Sequence, residues 1–266
     1  MRREEYLRQP VGFKVAIPAR YASQRLPGKP LLEIAGKPML QHVFERAVQS
    51  GAEDVVIATD DERIVRRARD FGARVCMTSS GHLSGSERLA ETAHKLAWPD
   101  DTVVVNLQGD EPLMPPANIR QVAVGLVTQP KASIATLCVP ISCVTEYENP
   151  HVVKVVRDHD GFALYFSRAS IPALRDNSQF TPYLGHYYRH IGLYAYRASY
   201  LKSFAGMPPC ELEHIESLEQ LRALWWGERI HVAEAAEPPG RGVDTPDDLT
   251  AVCKLYRVRR PNEIYG

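Results

Sequence analysis

Over its first 140 residues, the chain alternates apolar segments of strand length with amphipathic segments of helix length. The segments predicted as strands are FKVAIPA, DVVIATD, ARVCMT, DTVVVNLQGDEP and ASIATLCVPI. The segments with apolar residues at helical spacing are PMLQHVFERAVQSG, ERIVRRARDFG, SGSERLAETAHKLAW and PANIRQVAVGLVTQ. Strands that alternate with helices form βαβ crossovers, so the sequence predicts an α/β fold with a mostly parallel sheet flanked by helices.

The pattern changes near Cys143, where extended segments follow one another without helices between them. HVVKVVRDHDGFALYFSR predicts two strands joined by an Asp-Gly turn, and GHYYRHIGLYAYR predicts a tyrosine-rich strand. We interpret residues 143–200 as a β-rich insert, suited to a subdomain or a dimer surface, within a single domain of residues 1–266. Beyond it, ELEHIESLEQLRALWWG predicts one helix, IHVAEA a strand, and VDTPDDLTAVCKLY a closing helix.

Charge and cysteine content argue against several classes of protein. The 32 Lys and Arg residues balance the 32 Asp and Glu residues, whereas a general nucleic-acid or membrane-surface binder carries excess positive charge. The five cysteines include no CxxC pair, which argues against a disulfide framework or a zinc site. The start, MRREEYLRQPVGF, lacks the apolar core of a signal sequence, and no run of about 18 apolar residues predicts a transmembrane helix. We therefore expect a cytoplasmic protein, and we assign no function to residues 1–12.

A cationic loop follows the first predicted strand. Within VAIPARYASQRLPGKPLLEIAGKP, the cations are Arg20, Arg25 and Lys29, and Pro27-Gly28 favours a tight turn rather than a helix. Ligands of open parallel sheets bind beyond the carboxyl ends of the strands, where this loop lies. The chain has neither GxGxxG nor GxxxxGK[ST], so a Rossmann dehydrogenase and a P-loop ATPase are disfavoured. The loop could hold a triphosphate, or it could be a solvated surface loop.

Two acidic residues are candidate metal ligands. Asp110 closes the most apolar strand in NLQGDEP, where a carboxylate can bind Mg²⁺ without full burial. The alternative is that Gly109-Asp110 forms only a turn. Asp244 in GRGVDTPDD is the second candidate, with the alternative that Asp244 or Thr245 caps the last helix before Pro246.

The chain resembles the 3-deoxy-manno-octulosonate cytidylyltransferase family, the CMP-Kdo synthetases of lipopolysaccharide biosynthesis, from about Lys14 to Leu249. The segments that carry the resemblance, in order, are IPARYASQRLPGKPL, IATDDERI, GSERLAE, NLQGDEP, VVKVV, ALYFSRASIP, RHIGLYAYR, LEHIESLEQLRALWWGERIHVA and GVDTPDDL. The resemblance implies a Rossmann-like fold of the nucleotide-diphospho-sugar transferase type. It also implies that the acidic eight-carbon sugar Kdo attacks the α-phosphorus of CTP, so that CMP-Kdo forms and diphosphate leaves.

The resemblance further implies roles for individual residues. It implies a catalytic set of Lys29, Asp110 and Asp244, with Mg²⁺ held by the two aspartates. The implied nucleotide-binding residues are Ala19, Arg20, Arg25, Lys29, Ser84 and Gly85. The implied sugar-binding residues are Gln108, Arg168, Arg175, His190, Tyr194, Glu219 and Gln220. We accordingly expect CTP and Kdo as small-molecule partners, a homodimer, and neither a nucleic-acid nor a membrane partner.

Other interpretations remain open at the level of sequence. Tyr194 could be a core residue, and Glu219 and Gln220 could form an exposed helix face. The sugar could instead be sialic acid or the 8-amino analogue of Kdo. The protein could also bind CTP without catalysis, as a sensor or scaffold, although Lys29, Asp110 and Asp244 are all present.

Overall fold

The computed structural model describes residues 10–22, 25–82, 84–175 and 185–258. Within these ranges the strands are β1 (Lys14–Ala19), β2 (Glu33–Ile34), β3 (Lys37–Pro38), β4 (Asp54–Thr59), β5 (Arg74–Met77), β6 (Val103–Asn106), β7 (Ile134–Pro140), β8 (Lys154–Arg157), β9 (Ala163–Ser167), β10 (Tyr188–Arg197) and β11 (Ile230–Glu234). The helices are α1 (Met39–Gln49), α2 (Glu62–Asp70), α3 (Gly85–Lys95), α4 (Pro116–Thr128), α5 (Val144–Glu148), α6 (Ala198–Phe204), α7 (Glu211–Glu216), α8 (Gln220–Trp225) and α9 (Pro246–Val258). A short 3₁₀ helix covers Lys29–Leu31.

The main sheet has the strand order β11-β7-β10-β6-β1-β4-β5. Neighbouring strands run parallel at β11–β7, β6–β1, β1–β4 and β4–β5, and β10 runs antiparallel to both β6 and β7. This arrangement confirms the predicted mostly parallel α/β fold. The carboxyl ends of β1, β4 and β6 meet at one edge of the sheet, where the predicted nucleotide loop and Asp110 both lie.

The β-rich insert is built into this sheet. Strands β8 and β9 form the predicted antiparallel hairpin, which pairs with the start of β10. Strand β10 belongs to the same insert but lies between β6 and β7, near the middle of the sheet. The insert therefore supplies an internal strand, and only its hairpin extends beyond the main strand order.

Apolar side chains fill both faces of the sheet. On one face, Leu40 and Val43 of α1 pack with Ile64 of α2 and with residues of α4. On the other face, Leu89 of α3 packs with residues of α6 and α8. Because β1 is buried on both faces, its sequence is continuously apolar rather than alternating.

Helix α9 packs on the cationic loop and the hairpin that follows it. Val252 of α9 joins Leu26, Ile34 and Met39 in a small apolar cluster. Thr245 and Asp248 cap the helix reciprocally: Thr245 N donates to Asp248 Oδ2 at 3.0 Å, and Asp248 N donates to Thr245 Oγ1 at 3.2 Å. The alternative that Asp244 serves as the cap is therefore wrong, and its side chain is available for other contacts.

One predicted helix is two helices in the structure. We predicted a single helix across ELEHIESLEQLRALWWG, but α7 ends at Glu216 and α8 begins at Gln220. Ser217 adopts the left-handed conformation with φ 51°, and Leu218 N donates to Glu213 O at 3.1 Å, which closes α7. The break buries Leu218 while Ile215 stays exposed, although both would share one face of a continuous helix.

The described residues include no helix with the length and apolarity needed to cross a membrane. All five cysteines are free thiols, and Cys76, Cys138 and Cys210 are buried.

Candidate active site

The cationic loop is anchored by stacking on Tyr21. Gly28 adopts φ 67°, its N–H donates to Tyr21 O at 3.1 Å, and a Cβ at Gly28 would lie only 3.2 Å from the Tyr21 ring. The guanidinium of Arg63 lies 3.3 Å from the Tyr21 ring centroid. Asp61 holds Arg63 through two hydrogen bonds, of 2.9 and 2.6 Å. Glycine at position 28 thus allows the turn that presents Lys29 at the start of the 3₁₀ helix.

Four charged residues from three separate parts of the chain meet at the sheet edge, and we call them the ion cluster: Arg25, Lys29, Asp110 and Asp244. Lys29 Nζ donates to Asp110 Oδ2 at 2.5 Å and to Asp244 Oδ1 at 3.1 Å. Arg25 Nη2 lies 3.1 Å from the same oxygen of Asp244. The backbone supports this meeting, since Val243 N donates to Asp110 O at 2.9 Å. The structure thus brings together the residues predicted to act on the triphosphate and the metal.

The carboxylates of the ion cluster shift the pKa values of Lys29, within the cluster, and of Glu111, next to it. Burial by itself lowers the pKa of Lys29, but Asp110 and Asp244 outweigh this effect and raise it above its ordinary value. Burial, followed by the negative charges of Asp110 and Asp244, raises the pKa of Glu111 to about 8. Glu111 is therefore largely protonated near neutral pH and adds little negative charge next to Lys29.

A cavity of about 310 Å³ has Gln108, two residues before Asp110 of the ion cluster, in its lining, and we call it the polar cavity. Its lining includes six predicted site residues: Gly85, Gln108, His190, Tyr194, Glu219 and Gln220. It also includes five residues that the sequence reading missed: Ser86, Asn106, Gly192, Tyr196 and Leu218. Tyr196 could have been found, because it lies two residues after Tyr194 and therefore on the same face of β10.

Stacked tyrosines form one wall of the polar cavity. The rings of Tyr194 and Tyr196 stack with centroids 5.8 Å apart, and Tyr196 stacks on Tyr200 at 5.9 Å. Burial, followed by the charge of Glu219 among other groups, raises the pKa of Tyr196 well above its ordinary value, and burial does the same for Tyr194. Both phenols stay protonated, so each is available as a hydrogen-bond donor. Tyr194 is thus both a core residue and a cavity residue.

The interruption between α7 and α8 places Glu219 and Gln220 in the cavity. Both side chains are half-buried and line it, rather than forming an exposed helix face. Leu218 is buried in the apolar core immediately before them. The αL residue Ser217 therefore directs the chain so that the two polar residues line the cavity.

The start of α3 is the other wall of the cavity. Ser84 caps this helix by accepting from Glu87 N at 3.2 Å. A Cβ at Gly85 would lie 3.3 Å from Pro18 Cγ and 3.6 Å from Gln108 Nε2, so a larger residue would crowd the approach between β1 and β6. Ala19 ends β1 and is buried beneath the cationic loop.

Glu91 fastens the loop that precedes α3. Its carboxylate accepts from Ser79 N at 2.8 Å, pairs with the His82 ring, and lies 2.7 Å from Lys95 Nζ. Burial opposes the charge on Glu91, but these hydrogen bonds, led by that of Lys95, lower its pKa to about 2. His82 therefore holds a loop in place and does not line the polar cavity.

Arg88 is a buried arginine near Arg20 that was not among the predicted site residues. Arg88 on α3 is 0 % exposed, donates to Thr78 Oγ1 at 2.6 Å and lies 3.2 Å from Asp60 Oδ1. Among the described residues, one guanidinium nitrogen of Arg20 and two of Arg88 are buried without a hydrogen-bond partner. The positive charge of Arg20 acts on Arg88, and Asp60 is the carboxylate paired with Arg88.

Two predicted sugar ligands lie outside the lining of the polar cavity. Arg168 is half-buried and donates from Nε to Glu216 O at 2.8 Å, while its backbone N–H donates to Glu216 Oε2 at 2.9 Å. These bonds tie the end of β9 to the end of α7. Arg175 is exposed and precedes residues 176–184, which lie outside the described residues. Their assignment as sugar ligands therefore stays a prediction, although Arg168 also lies close to Ser217 O, at 3.4 Å, two residues before Glu219.

A mostly parallel α/β sheet, a cationic loop after one of its central strands and two carboxylates that meet at the same edge of the sheet are together the features of a nucleotidyltransferase. Residues 15–230 match the family described as "Cytidylyltransferase". The 3-deoxy-manno-octulosonate cytidylyltransferase of Vibrio parahaemolyticus serotype O3:K6 (strain RIMD 2210633) is 56% identical over 244 residues, which cover 91% of this chain and 97% of that protein. The enzyme of the same name from Thioalkalivibrio sulfidiphilus (strain HL-EbGR7) is 57% identical over 249 residues, covering 93% and 100%. The chain belongs to the 3-deoxy-manno-octulosonate cytidylyltransferase family.

Solved structures agree with this assignment. A CMP:2-keto-3-deoxy-manno-octonic acid synthetase complexed with CTP superposes with a TM-score of 0.86 and 43% identity, covering 93% of this chain and 99% of that one. A cytidylyltransferase from Leptospira borgpetersenii serovar Hardjo-bovis (strain JB197) has a TM-score of 0.61 at 17% identity and covers 96% and 90%, which shows a shared fold. The family and the fold class predicted from the sequence are both confirmed.

Proposed function

We propose that this protein transfers CMP from CTP to the anomeric 2-hydroxyl of Kdo, giving CMP-Kdo and diphosphate. The observation that carries the proposal is the meeting of Lys29 with Asp110 and Asp244 beside a cavity lined by hydrogen-bonding groups. The names of the relatives, 3-deoxy-manno-octulosonate cytidylyltransferase, support the same reaction. In this reaction the sugar oxygen forms a bond to the α-phosphorus, the bond from that phosphorus to the bridging oxygen breaks, and the hydroxyl proton passes to solvent.

On the nucleotide side, Arg20, Arg25 and Lys29 neutralise the triphosphate and hold it in line for attack. Nucleotidyl transfer depends on positioning and on charge stabilisation more than on covalent help from the protein. The contacts of Tyr21 with Gly28 and with Arg63 support this role, because they hold the loop from which Lys29 extends. Ser84 and Gly85 leave space for the pyrimidine at the start of α3.

The residues present fit a Mg²⁺ cofactor. Asp110 and Asp244 offer oxygen donors that are 31% and 53% exposed, and no group of three or more His, Cys, Asp or Glu side chains is placed to hold a metal within the described residues. Two carboxylates suit Mg²⁺, which completes its shell with water and phosphate oxygens. We propose that Asp110 and Asp244 hold this ion, which when bound supplies charge neutralisation and makes the sugar hydroxyl more nucleophilic. In this structure Lys29 donates a hydrogen bond to each of the two carboxylates.

On the sugar side, the polar cavity orients Kdo. The phenols of Tyr194 and Tyr196 and the amides of Gln108 and Gln220 donate hydrogen bonds, and the carboxylate of Glu219 accepts them from sugar hydroxyls. That Arg168 and Arg175 bind the sugar carboxylate stays a prediction, since the cavity is lined without them.

A homodimer is part of the proposal. Leu164 on β9 is 60% exposed, and Ile215 and Trp225 on the neighbouring helices are 77% and 55% exposed. Exposed apolar side chains of this size are typical of surfaces that pack against another protein. Sedimentation velocity measures the mass directly, and a monomer at micromolar concentration contradicts this part of the proposal. The cytoplasmic location stays a prediction.

Diphosphate release in the presence of Mg²⁺ tests the reaction. We expect release with CTP and Kdo, and only background release when ATP, GTP or UTP replaces CTP. Sialic acid and the 8-amino analogue of Kdo, each tested with CTP, identify the sugar. Calorimetry that finds tight CTP binding in a protein with no turnover on any of these sugars supports the non-catalytic alternative instead.

A further inference from the structure

Strand β10 is irregular where it passes the polar cavity, and a buried threonine holds the irregularity. The pairing of β10 with β7 shifts register between Ile191 and Tyr194. Thr136 of β7 is 1% exposed, and its Oγ1 lies 3.0 Å from Ile191 O and 2.8 Å from Leu193 O. The hydroxyl therefore bonds to both carbonyls that flank Gly192, which lines the cavity.

The same hydroxyl contacts His190, and its single proton determines the direction of that bond. Thr136 Oγ1 lies 3.1 Å from His190 Nε2. Carbonyl oxygens can only accept, so the hydroxyl hydrogen of Thr136 must point toward Ile191 O and Leu193 O. If it pointed at His190 instead, its lone pairs would face two carbonyl oxygens at hydrogen-bond distance. The lone pairs of Oγ1 are thus left for Nε2, which must carry the hydrogen.

The other ring nitrogen is left for a ligand. No hydrogen bond to His190 Nδ1 is present within the described residues, and the residue lines the cavity. The ring packs against Phe166 and Tyr194, with centroids 5.0 and 5.2 Å away. Burial lowers the pKa of His190 to about 3, so the ring is neutral near neutral pH. A neutral ring protonated at Nε2 has a bare lone pair at Nδ1.

We propose that Thr136 is a positioning residue that fixes His190 as the Nε2–H tautomer, so that Nδ1 accepts a hydrogen bond from a hydroxyl of the sugar. This inference rests on the proposed function, and it assigns His190 to a hydroxyl rather than to the sugar carboxylate. A carboxylate and a bare Nδ1 both present lone pairs and repel one another, so the carboxylate must meet donors elsewhere in the site. Thr136 thereby contributes to sugar specificity without touching the sugar.

Long-range ¹H–¹⁵N NMR spectra of the substrate-free protein test the tautomer directly. The chain has nine histidines, and the spectrum of H190N identifies the His190 signals by their loss. We expect a protonated Nε2 and an unprotonated Nδ1 in the wild type near neutral pH, and a loss of this fixed pattern in T136V. A wild-type ring that is protonated at Nδ1, or at both nitrogens, overturns the proposal.

Kinetics test the consequence for substrate binding. Loss of one neutral hydrogen bond corresponds to roughly a three- to tenfold change in affinity, so T136V should raise the KM for Kdo by about that factor and leave the KM for CTP unchanged. T136S keeps the hydroxyl and should restore both the KM and the NMR pattern. T128V is the matched control, because Thr128 Oγ1 also bonds a backbone carbonyl, Val124 O at 2.9 Å, away from the cavity.

The two parts of the test separate failure of this inference from failure of the proposed function. If the protein releases diphosphate with none of the sugars, the NMR pattern still decides the tautomer. If T136V folds and its KM for Kdo equals that of the wild type, Thr136 does not position a sugar contact. Should T136V fail to fold, T136S supplies the comparison, and a change in its NMR pattern contradicts the role of the hydroxyl.

Discussion

The ion cluster and the polar cavity are neighbours, but they are built in opposite ways. In the ion cluster, charged side chains meet in partial contact with solvent: Arg25 is 67% exposed and Asp244 is 53% exposed. The polar cavity instead has buried phenols and a histidine whose pKa is lowered to about 3 by burial. One half of the site works mainly through charge, and the other works mainly through directed hydrogen bonds. Substitutions in the two halves should therefore change different kinetic parameters.

The largest expected effect is that of Asp110→Asn. Loss of this carboxylate should lower kcat by on the order of 10³-fold, because several kcal/mol of charge stabilisation disappear from the reacting centre. The thermal midpoint should change little, since Asp110 lies at a strand end outside the apolar core. Diphosphate release and thermal unfolding measure the two quantities. Asp101 is exposed and precedes the amino end of β6, so Asp101→Asn is the matched control. Near-normal turnover in Asp110→Asn rules out its assignment as a metal ligand.

Lys29→Met should raise the KM for CTP by about ten- to a hundredfold, the size expected for a lost hydrogen bond between charged groups. The KM for Kdo should change much less, because Lys29 does not line the polar cavity. Initial rates at varied CTP and fixed Kdo check this. Lys37→Met is the control in the following hairpin, where Lys37 pairs with Glu45 at 2.7 Å. An insoluble Lys29→Met protein beside a soluble control points to a structural role for Lys29.

Gln220→Ala should affect the KM for Kdo rather than the KM for CTP, the opposite of Lys29→Met. Removal of one neutral hydrogen-bonding group from the polar cavity should raise the KM for Kdo by roughly three- to tenfold and leave the KM for CTP near its wild-type value. Gln129, which does not line the cavity, provides a control substitution of the same type. If the KM for CTP rises by as much as that for Kdo, the two halves of the site are not separate in the way proposed.

Glu91→Gln should have the smallest effect on turnover and a measurable effect on stability. Because the pKa of Glu91 is lowered from 4.5 to about 2, its ionised form stabilises the fold above pH 4.5, and this contribution is lost as the pH falls toward 2. We expect the variant to be less stable near neutral pH by on the order of 1–2 kcal/mol, and the difference to shrink in acid. Urea unfolding at several pH values measures it. A difference that stays constant or grows below pH 4.5 contradicts this assignment.

The ion cluster could be predicted from the sequence for a physical reason. Arg25 and Lys29 lie in the loop that follows the apolar run of β1, Asp110 follows the apolar run of β6, and the carboxyl ends of neighbouring parallel strands lie at one edge of a sheet. Asp244 was a candidate ligand with a rival role as a helix cap, and only the structure shows that Thr245 and Asp248 form that cap. Its distance to Lys29 depends on the packing of α9 against the loop, which is a contact between distant parts of the chain.

The polar cavity was predicted less completely. Single residues such as Gln108 and Tyr194 were nominated through the family resemblance, but Ser86 and Asn106 were not, although they line the same space. The break at Ser217 was missed because the segment around it has good helix formers and no glycine or proline. Arg88 was missed because an arginine in a helix is usually exposed, and only its pairing with Asp60 and Thr78 accounts for its burial.

By itself, the sequence determined the alternation of strands and helices, the cationic loop after β1 and the carboxylate after β6, because these depend on local pattern and on the geometry common to all parallel sheets. Only the tertiary structure decided that β10 enters the middle of the sheet, that Ser217 turns Glu219 and Gln220 into the cavity, and that Thr136 bonds His190 across two strands. Each of these depends on contacts between residues far apart in the chain. Such contacts form only where burial of apolar side chains brings distant segments together, and no local pattern encodes them.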